Sequence, residues 1–387
     1  MLIIILTLPF VMYLILSLFT IISLQKKTIP PPALSDDDIP GVAVLLPFYN
    51  EDCSTLQQVL ESIDSQYYPV RMTVLVINDG STNASNKMAE EWCCKARKHD
   101  FICIDLPTNS GRKGLALDRA LAEVKLENEI FVIIDSDTVI HPRGVYELCT
   151  KLWSDKSYAA VCGFIVPERN RTWINTLQFY EHMGVFGSIR TAQDKFGIVS
   201  VMAGAFVAHR ATVVDDIGGW GNWLVEDISW CWKALSNNYK TGYTVKAKAT
   251  TVCPDNFNTL FHQRRRWSRG RMEAVKEASR VNLVSLFKLS PFILTDIVKT
   301  LCPPILVSTV ILFLISWQVS VLVLLLWLIS SVALLKLFYG NYLNVFDRRM
   351  YVKTILSCTL LECIIWVPNI FGYLDEILCK RKHWLTR

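Results

Sequence analysis

The chain has 387 residues and a formal net charge of +5, with 40 Lys and Arg against 35 Asp and Glu. Hydrophobic residues make up 51% of it, and residues 1–25 and 301–335 contain no charged side chain. This uneven composition excludes an ordinary water-soluble protein and indicates membrane segments. The 12 cysteines include no CxxC pair, which excludes a zinc ribbon and a thioredoxin-type motif.

Residues 1–25 predict a transmembrane anchor. A bilayer core about 30 Å thick requires about 20 helical residues, and this segment lacks the basic start and small-residue cleavage site of a signal peptide. Lys26 and Lys27 follow it directly, so the positive-inside rule predicts that the next part of the chain is cytoplasmic. Residues 26–40 contain Pro30–Pro32 and are predicted to be a linker.

From residue 41 onward, strand-like apolar runs alternate with helix-like segments, which is typical of an α/β domain with a mostly parallel sheet. Ligands in such sheets bind beyond the carboxyl ends of the strands. Polar clusters follow three of the predicted strands, so we expect them to meet in one crevice. The predicted strands are Val42–Leu46, Thr73–Ile77, Ile102–Leu106 and Ile130–Ile134, and the predicted helices are Leu56–Ser65, Ser85–Lys98 and Leu115–Val124.

The first polar clusters carry side chains suited to a nucleotide. The segment Pro47–Glu51 contains Tyr49 and Glu51, an aromatic ring and a carboxylate that suit a nucleobase and a ribose. Asp79 follows the second strand in the sequence NDGS, which an ordinary Asp-Gly turn would also explain. Lys113 lies on a glycine-flanked loop before a helix, where it would supply charge to a phosphate. The alternative for Lys113 is a solvated basic turn.

Two carboxylates follow the fourth predicted strand. Asp135 and Asp137 are two residues apart, so both oxygens can converge on a divalent cation that bridges a diphosphate. Hard oxygen ligands of this kind favour Mg²⁺ or Mn²⁺. A solvated aspartate at a strand end is the alternative for each residue.

A later pair of acids, Glu226 and Asp227, follows a stretch rich in glycine and tryptophan where a sugar ring could stack. Inverting glycosyl transfer requires one carboxylate to take the proton of the acceptor hydroxyl. A pair of carboxylates, as in glycoside hydrolases, is not required. We therefore predict Asp227 as the base. An acid at a helix N-terminus is also stabilised by the helix dipole, and both interpretations can hold together.

The most specific motif is QRRRW, in which Gln263, Arg266 and Trp267 would share one face of a helix. Arginine side chains bind diphosphate oxygens with two parallel hydrogen bonds, and the tryptophan offers a flat face to a sugar. Arg264 and Arg265 would point to lipid or to neighbouring acids. Because no nucleic-acid motif accompanies these arginines, no nucleic-acid partner is predicted. Juxtamembrane arginines facing anionic lipid are the simpler alternative.

The C-terminal third predicts several membrane helices. Residues 280–300 have the mixed pattern of an amphipathic helix at the membrane interface. Residues 301–335 would measure roughly 52 Å as one helix, so two helices with a turn near Trp317–Ser320 are expected. Residues 353–373 are a further candidate. Three spans would conflict with the positive-inside rule, unless the stretch at Pro303–Pro304 is re-entrant or the segment around Asp296 also enters the membrane.

Together these motifs resemble the processive family 2 glycosyltransferases, which include cellulose, chitin, hyaluronan and poly-N-acetylglucosamine synthases. The resemblance covers roughly Gly41 to Glu277 and the flanking apolar helices, and Gly219–Trp232 is most similar to the poly-N-acetylglucosamine branch. It implies a cytoplasmic GT-A domain and a polymer extruded through the membrane helices. The expected organisation is an anchor at 1–25, a linker at 26–40, a GT-A domain at 41–279, an interface helix at 280–300, membrane helices at 301–379 and a basic tail at 380–387.

The resemblance also implies residue roles, with Asp227 as the base and Asp135 and Asp137 as the metal ligands. The implied nucleotide-sugar-binding residues are Pro47, Tyr49, Glu51, Asp79, Lys113, Asp135, Gln263 and Arg266. The implied acceptor-binding residues are Gly204, Phe206, Glu226 and Trp267.

The expected function is an inverting, metal-dependent β-glycosyltransferase that polymerises a UDP-sugar onto a growing glycan and translocates the product across the lipid bilayer. UDP-N-acetylglucosamine as donor rests on the resemblance alone, and an accessory export subunit is unknown. The first alternative is a single-addition enzyme that glycosylates a membrane lipid such as ceramide or dolichyl phosphate. The second is a non-catalytic membrane receptor or scaffold. We expect a multi-pass integral membrane protein with a cytoplasmic catalytic domain.

Overall fold

The computed structural model divides into two compact units, one built on a sheet and one on helices. The structure describes residues 2–26, 30–35, 38–168, 172–282 and 284–380. The predicted basic tail beyond residue 380 and parts of the predicted linker lie outside these ranges. The sheet unit comprises Ile29–Val166 and Gly197–Val252, and the helical unit comprises Met1–Thr28, Pro167–Phe196 and Cys253–Arg387.

The secondary structure of the described residues alternates between strands and helices up to residue 251 and is helical afterwards. The strands are Val42–Phe48 (β1), Thr73–Asn78 (β2), Asp100–Asp105 (β3), Ile130–Ile134 (β4), Thr138–Ile140 (β5), Tyr158–Pro167 (β6), Phe206–Arg210 (β7) and Lys240–Thr251 (β8). The helices are Leu2–Gln25 (α1), Cys53–Asp64 (α2), Ser85–Cys93 (α3), Lys113–Glu123 (α4), Gly144–Trp153 (α5), Trp173–Tyr180 (α6), Gly187–Asp194 (α7), Ala211–Asp216 (α8), Glu226–Ser236 (α9), Phe257–Val281 (α10), Ser285–Leu301 (α11), Ile305–Ile315 (α12), Trp317–Phe338 (α13) and Arg348–Ile377 (α14), with π-helical segments at Glu181–Phe186 and Tyr339–Leu343.

Continuous apolar runs form the parallel half of the sheet. The strand order is β3-β2-β1-β4-β7-β6-β8-β5, and the first four strands pair in parallel. Every residue of β1 and β4 is buried, as expected for strands covered on both faces. The predicted α/β fold with a mostly parallel sheet is therefore confirmed.

The strands beyond β4 include antiparallel pairs. Strand β7 pairs antiparallel with both β4 and β6, and β5 pairs antiparallel with β8. These strands bring residues from the second half of the sheet unit next to the end of β4. The loop before β7 therefore lies close to the segment that follows β4, as the Asp135 N–H bond to the Ala205 carbonyl shows (3.2 Å).

The parallel strands end level with one another. In the register of the sheet, Phe48 of β1 is opposite Asn78 of β2, and Asn78 is opposite Asp105 of β3. The segments that follow these strands therefore begin at the same edge. This is the edge at which parallel α/β sheets bind ligands.

The helical unit contains the helices that are long and apolar enough to cross a membrane. Among the described residues there are three, at Leu2–Gln25, Trp317–Leu343 and Arg348–Ile377. Phe287–Leu301 and Ile305–Ile315 form a further pair bent by 62°, which is either a broken span or a re-entrant loop. The bend contains Pro303–Pro304, and the predicted interface helix thus forms one arm of it.

The boundary between the units differs from the predicted domain boundary. The sequence pattern assigns all of 41–279 to one domain. In the structure Pro167–Phe196 and all of α10 belong to the helical unit instead. The physical reason is that α10 packs along α14. Ser268 Oγ donates a hydrogen bond to the Asn369 carbonyl at 2.8 Å.

The contact between α10 and α14 is close and charged. A Cβ atom on Gly372 would lie 2.4 Å from the Arg265 carbonyl oxygen, so the two backbones leave no room for a side chain there. Ion pairs surround this point. They are Arg265–Asp375 (2.5 Å), Arg269–Glu376 (2.9 Å), Arg271–Asp296 on α11 (2.6 Å) and Lys276–Glu376 (2.7 Å).

We expect Gly372→Ala to lower the free energy of unfolding by about 1–3 kcal/mol, the usual cost of forcing extra atoms into a packed interface. Alanine is the better helix former by about 1 kcal/mol, but the overlap with backbone atoms outweighs this gain. Thermal unfolding in detergent would measure the change. The control is Gly340→Ala, whose new Cβ would meet Phe346 at an ordinary 3.5 Å. A Gly372→Ala protein as stable as this control would contradict the close approach.

Candidate active site

The loops after β1 and β2 are joined by hydrogen bonds. Asn50, which has a positive φ of 49°, accepts a hydrogen bond from the Thr82 N–H at 2.7 Å and donates its own N–H to Ser81 Oγ at 2.9 Å. The neighbouring Tyr49 is 46% exposed, so its ring is open to a ligand. Pro47, in contrast, lies inside β1 and is buried. A direct nucleotide contact through the Pro47 ring is therefore not supported.

Glu51 connects the β1 loop to the acidic motif after β4. Its side chain is buried, and Ser136 Oγ donates a hydrogen bond to Glu51 Oε2 at 2.6 Å. Ser136 was not predicted as a site residue, although it lies between the two aspartates of the motif. Its hydroxyl fixes the turn that carries Asp135 and Asp137.

Asp79 is held by the loop before α4. Its Oδ1 accepts the Ser110 N–H at 2.8 Å, and its carbonyl accepts the Asn109 amide at 3.2 Å. Burial raises the pKa of Asp79, and the bonds from Ser110 partly oppose the rise. Gly80 is required here, because its φ is +74° and a Cβ would lie 2.6 Å from the Asn109 nitrogen. The Asp-Gly turn and the placement of Asp79 are thus the same feature.

Lys113 lies at the centre of the acidic cluster. Its ammonium group contacts Asp135 Oδ1 at 2.5 Å, the Gly204 carbonyl at 2.8 Å and Glu226 Oε1 at 3.4 Å. The side chain is only 14% exposed, so the alternative of a solvated basic turn is wrong. Burial alone would lower the pKa of Lys113, but the carboxylates of Asp135, Glu226 and Asp227 outweigh it and raise the pKa.

The two aspartates after β4 have different surroundings. Asp135 pairs with Lys113, and Asp137 Oδ1 lies 3.3 Å from the hydroxyls of Thr138 and Thr251. No cluster of three or more His, Cys, Asp and Glu side chains suited to a metal occurs in the described ranges. Two carboxylates nevertheless fit Mg²⁺ or Mn²⁺, because Mg²⁺ commonly takes one or two carboxylates together with substrate phosphates and water.

Glu226 and Asp227 are the first two residues of α9, so the predicted helix N-terminal position is confirmed. Asp227 accepts the Gly204 N–H on Oδ2 at 3.1 Å and the Ile228 N–H on Oδ1 at 2.6 Å. Burial and the neighbouring Glu226 raise the pKa of Asp227 to about 6, while Gly204 and Lys113 oppose the rise. A carboxylate with a pKa near the working pH is suited to take up a proton.

Gly204 and Phe206, two of the predicted acceptor-binding residues, have different surroundings in the structure. Gly204 touches the base, since a Cβ there would lie 3.1 Å from Asp227 Cβ. Phe206 is 0% exposed and fills the sheet core against Gly144 and Gly163. As the first residue of β7 it is fixed by the ladder to β4, and its ring lies in the core of the sheet.

The QRRRW motif lies on α10 of the helical unit. Arg264 forms a double hydrogen bond with Glu181 (3.1 and 2.6 Å) and lies 4.6 Å from the centre of the Trp267 ring. Arg265 pairs with Asp375. Of the two options predicted for these arginines, the structure therefore selects neighbouring acids. Gln263 and Arg266 share the same helix.

The structure thus joins Lys113, Asp135 and Asp227 in one hydrogen-bonded network through Gly204. Glu51 and Asp79 are held by the neighbouring segments, through Ser136 and Ser110. Residues 130–368 match the model of glycosyl transferase family group 2. The chain belongs to this family. A family 2 glycosyltransferase transfers a sugar, so the predicted class of enzyme is confirmed, and the receptor or scaffold alternative is dropped.

Two relatives are named for the same activity. The chain is 27% identical to poly-beta-1,6-N-acetyl-D-glucosamine synthase of Staphylococcus epidermidis over 238 residues, 61% of this chain and 56% of that one. It is 28% identical to the synthase of Staphylococcus aureus strain COL over 254 residues, 65% of this chain and 59% of that one. The chain thus spans less than two thirds of the length of the curated relatives it matches.

A solved structure shows the same fold. The mannosyltransferase PcManGT from Pyrobaculum calidifontis, in complex with GDP-Man and Mn²⁺, matches 98% of this chain and 100% of its own with a TM-score of 0.64. The sequence identity is 16%, so this likeness concerns the fold alone. The GT-A fold expected for this glycosyltransferase is confirmed.

Proposed function

We propose that this family 2 glycosyltransferase is an inverting, metal-dependent enzyme that adds N-acetylglucosamine from UDP-N-acetylglucosamine to the end of a growing β-linked glycan. The observation that carries the proposal is the position of Asp227. It is a buried carboxylate with a raised pKa, linked through Gly204 and Lys113 to Asp135 after β4. The activity for which the Staphylococcus relatives are named supports the choice of sugar.

In the proposed reaction Asp227 takes the proton of the acceptor hydroxyl. The hydroxyl oxygen then attacks C1 of the sugar from the side opposite the diphosphate, and the bond between C1 and the diphosphate oxygen breaks. UDP leaves with the electron pair of that bond, and the configuration at C1 is inverted. Asp135 and Asp137 would hold Mg²⁺ or Mn²⁺, which neutralises charge on the leaving diphosphate.

The remaining contacts divide between donor and acceptor. The exposed ring of Tyr49, together with Glu51 and Asp79, would hold the nucleoside. Glu226 is proposed on the acceptor side, where it pairs with Lys113 next to the base. The roles of Gln263 and Arg266 toward UDP, and of Trp267 toward the acceptor, rest on the resemblance of the QRRRW motif.

Processive synthesis and translocation are supported by the apolar helices and by the relatives. The structural neighbour is named as a mannosyltransferase that binds GDP-Man, so single addition to a membrane lipid remains the second candidate. Sizing the radiolabelled product separates the two. A ladder of long glycans is expected, whereas a product that migrates as one sugar on a lipid would replace the proposal. We also propose that the sheet unit is cytoplasmic, because Lys26 and Lys27 follow the N-terminal helix.

Metal removal tests the reaction itself. Chelation with EDTA should lower UDP release by about 100-fold or more, since a bound cation contributes several kcal/mol of transition-state stabilisation. Mn²⁺ or Mg²⁺ should restore it. A parallel screen of UDP-sugars should give the fastest release with UDP-N-acetylglucosamine. Undiminished turnover in EDTA would contradict the metal, and equal turnover with UDP-glucose would contradict the donor.

A further inference from the structure

Asp118, on the second turn of α4, holds the glycine loop that leads into α9. Asp118 Oδ1 accepts the Trp220 N–H at 2.9 Å, and Asp118 Oδ2 accepts the Gly221 N–H at 2.7 Å. Both oxygens of one carboxylate thus bind two successive backbone N–H groups. We propose that Asp118 is a positioning residue, which acts through this loop to hold Glu226 and Asp227 in place for sugar transfer. The proposal rests on the proposed function of Asp227.

The loop fits closely against α4. Gly219 has a φ of +74°, and a Cβ there would lie 2.4 Å from Asp118 Oδ1. On the first turn of α4, a Cβ on Gly114 would lie 2.4 Å from the Gly221 carbonyl oxygen and 3.3 Å from Glu226 Cβ. A larger residue at either position would overlap these atoms, so the loop packs against α4 with little freedom to shift.

The loop is also anchored on its other side. Trp220 is buried, with its ring 5.4 Å from the ring of His209 on β7. Burial lowers the pKa of His209 to about 3, so this imidazole is neutral and packs as part of the core. Lys233 of α9 donates a hydrogen bond to the Ile217 carbonyl at the start of the loop.

Helix α4 therefore connects the two ends of the catalytic arrangement. Its first residue, Lys113, pairs with Glu226, and Asp118 fixes the loop from which Glu226 and Asp227 follow. Asp118 acts on the backbone of the loop and has no part in proton transfer. Loss of its two bonds should displace the base relative to the acceptor hydroxyl and leave the donor site after β1 and β2 unchanged.

The test compares two substitutions of similar size in the full chain. Asp118→Leu removes both acceptors and should lower kcat by about 100-fold, the usual effect of misplacing a catalytic group by about 1 Å. The KM for UDP-N-acetylglucosamine should stay within about twofold of wild type. Asp118→Asn keeps one acceptor oxygen and should lose no more than about tenfold. The control Glu123→Gln changes an exposed charge on the same helix and should match wild type.

Wild-type kcat in Asp118→Leu, or an equal loss in Asp118→Asn and Asp118→Leu, would overturn the proposal. A fall in kcat/KM that comes entirely from a higher KM for UDP-N-acetylglucosamine would also overturn it, because the effect would then lie in donor binding. If Asp118→Leu does not fold, Gly219→Ala tests the same contact. It should reproduce the loss in kcat, and adding Asp118→Asn to it should cause no further loss if both act through one contact.

Failure of the proposed function has a different signature. If wild-type protein transfers no sugar from any UDP-sugar, the role of Asp227 is wrong, and the kinetic comparison does not apply. Hydrogen exchange then decides whether Asp118 holds the loop. The Trp220 and Gly221 amides should exchange at least about tenfold faster in Asp118→Leu than in wild type. Unchanged exchange at these amides would reject the positioning role.

Discussion

Asp227→Asn is expected to lower kcat by about 1,000-fold, within the range that general base catalysis contributes. The amide has nearly the same shape and can still accept the Gly204 N–H, but it cannot take the acceptor proton. UDP and metal affinity, measured by calorimetry, should stay within about twofold because the donor contacts are made by other residues. The control is Asp100→Asn on strand β3, which removes an exposed carboxylate that pairs with Arg71. Turnover of Asp227→Asn near the wild-type rate would reject Asp227 as the base.

The same carboxylate predicts the pH dependence of the wild-type enzyme. Asp227 works only when ionised, and its pKa is raised to about 6 by burial and by Glu226. The value of kcat/KM should therefore fall about tenfold per pH unit below pH 6 and level off above it.

The raised pKa of Asp227 also affects stability, because the ionised carboxylate opposes folding at pH values above its unfolded pKa. Asp227→Asn should consequently be at least as stable as wild type at pH 7, which separates loss of chemistry from loss of fold.

Breaking the buried pair between Arg264 and Glu181 should have the largest effect on stability. The side chains are 5% and 10% exposed, and two hydrogen bonds join them. Glu181→Ala leaves a buried arginine without its carboxylate, which typically costs about 3–5 kcal/mol. The loss should appear as a lower thermal unfolding temperature in detergent.

A double variant makes this test specific. Arg264→Met together with Glu181→Met removes both charges and fills a similar volume, so it should recover most of the stability lost in Glu181→Ala. Lys276→Met, which removes a half-exposed partner of Glu376, serves as the control and should change stability by less than about 1 kcal/mol. A double variant as unstable as Glu181→Ala would show that shape, and not charge, is decisive at this position.

The parallel half of the sheet could be predicted because its strands are continuous apolar runs that end in polar residues. Val42–Leu46 and Ile130–Ile134 overlap β1 and β4, and strands of this kind have no solvent-facing side to interrupt the pattern. The acidic positions could be predicted for the same reason. A carboxylate placed directly after a buried strand has few positions available other than the ligand-binding edge.

The antiparallel pairs could not be predicted, and the position of Phe206 depends on them. Phe206 was placed on the acceptor side, but β7 pairs with β4 and directs this ring into the core. The pairing depends on residues far apart in the sequence, for which local pattern gives no signal. The partners of Arg265 and Arg269 lie at Asp375 and Glu376, near the end of α14. Asp118 gave no signal either, because its partners are backbone N–H groups.

Gly204 joins the two halves of the proposed chemistry through a single residue. Its N–H bonds Asp227, its carbonyl bonds Lys113, and a Cβ would lie 3.1 Å from Asp227 Cβ. A change in the backbone angles of Gly204 would therefore shift its hydrogen bonds to Asp227 and to Lys113 together. Any substitution at residue 204 would therefore alter the surroundings of the proposed base and of the buried ammonium group together.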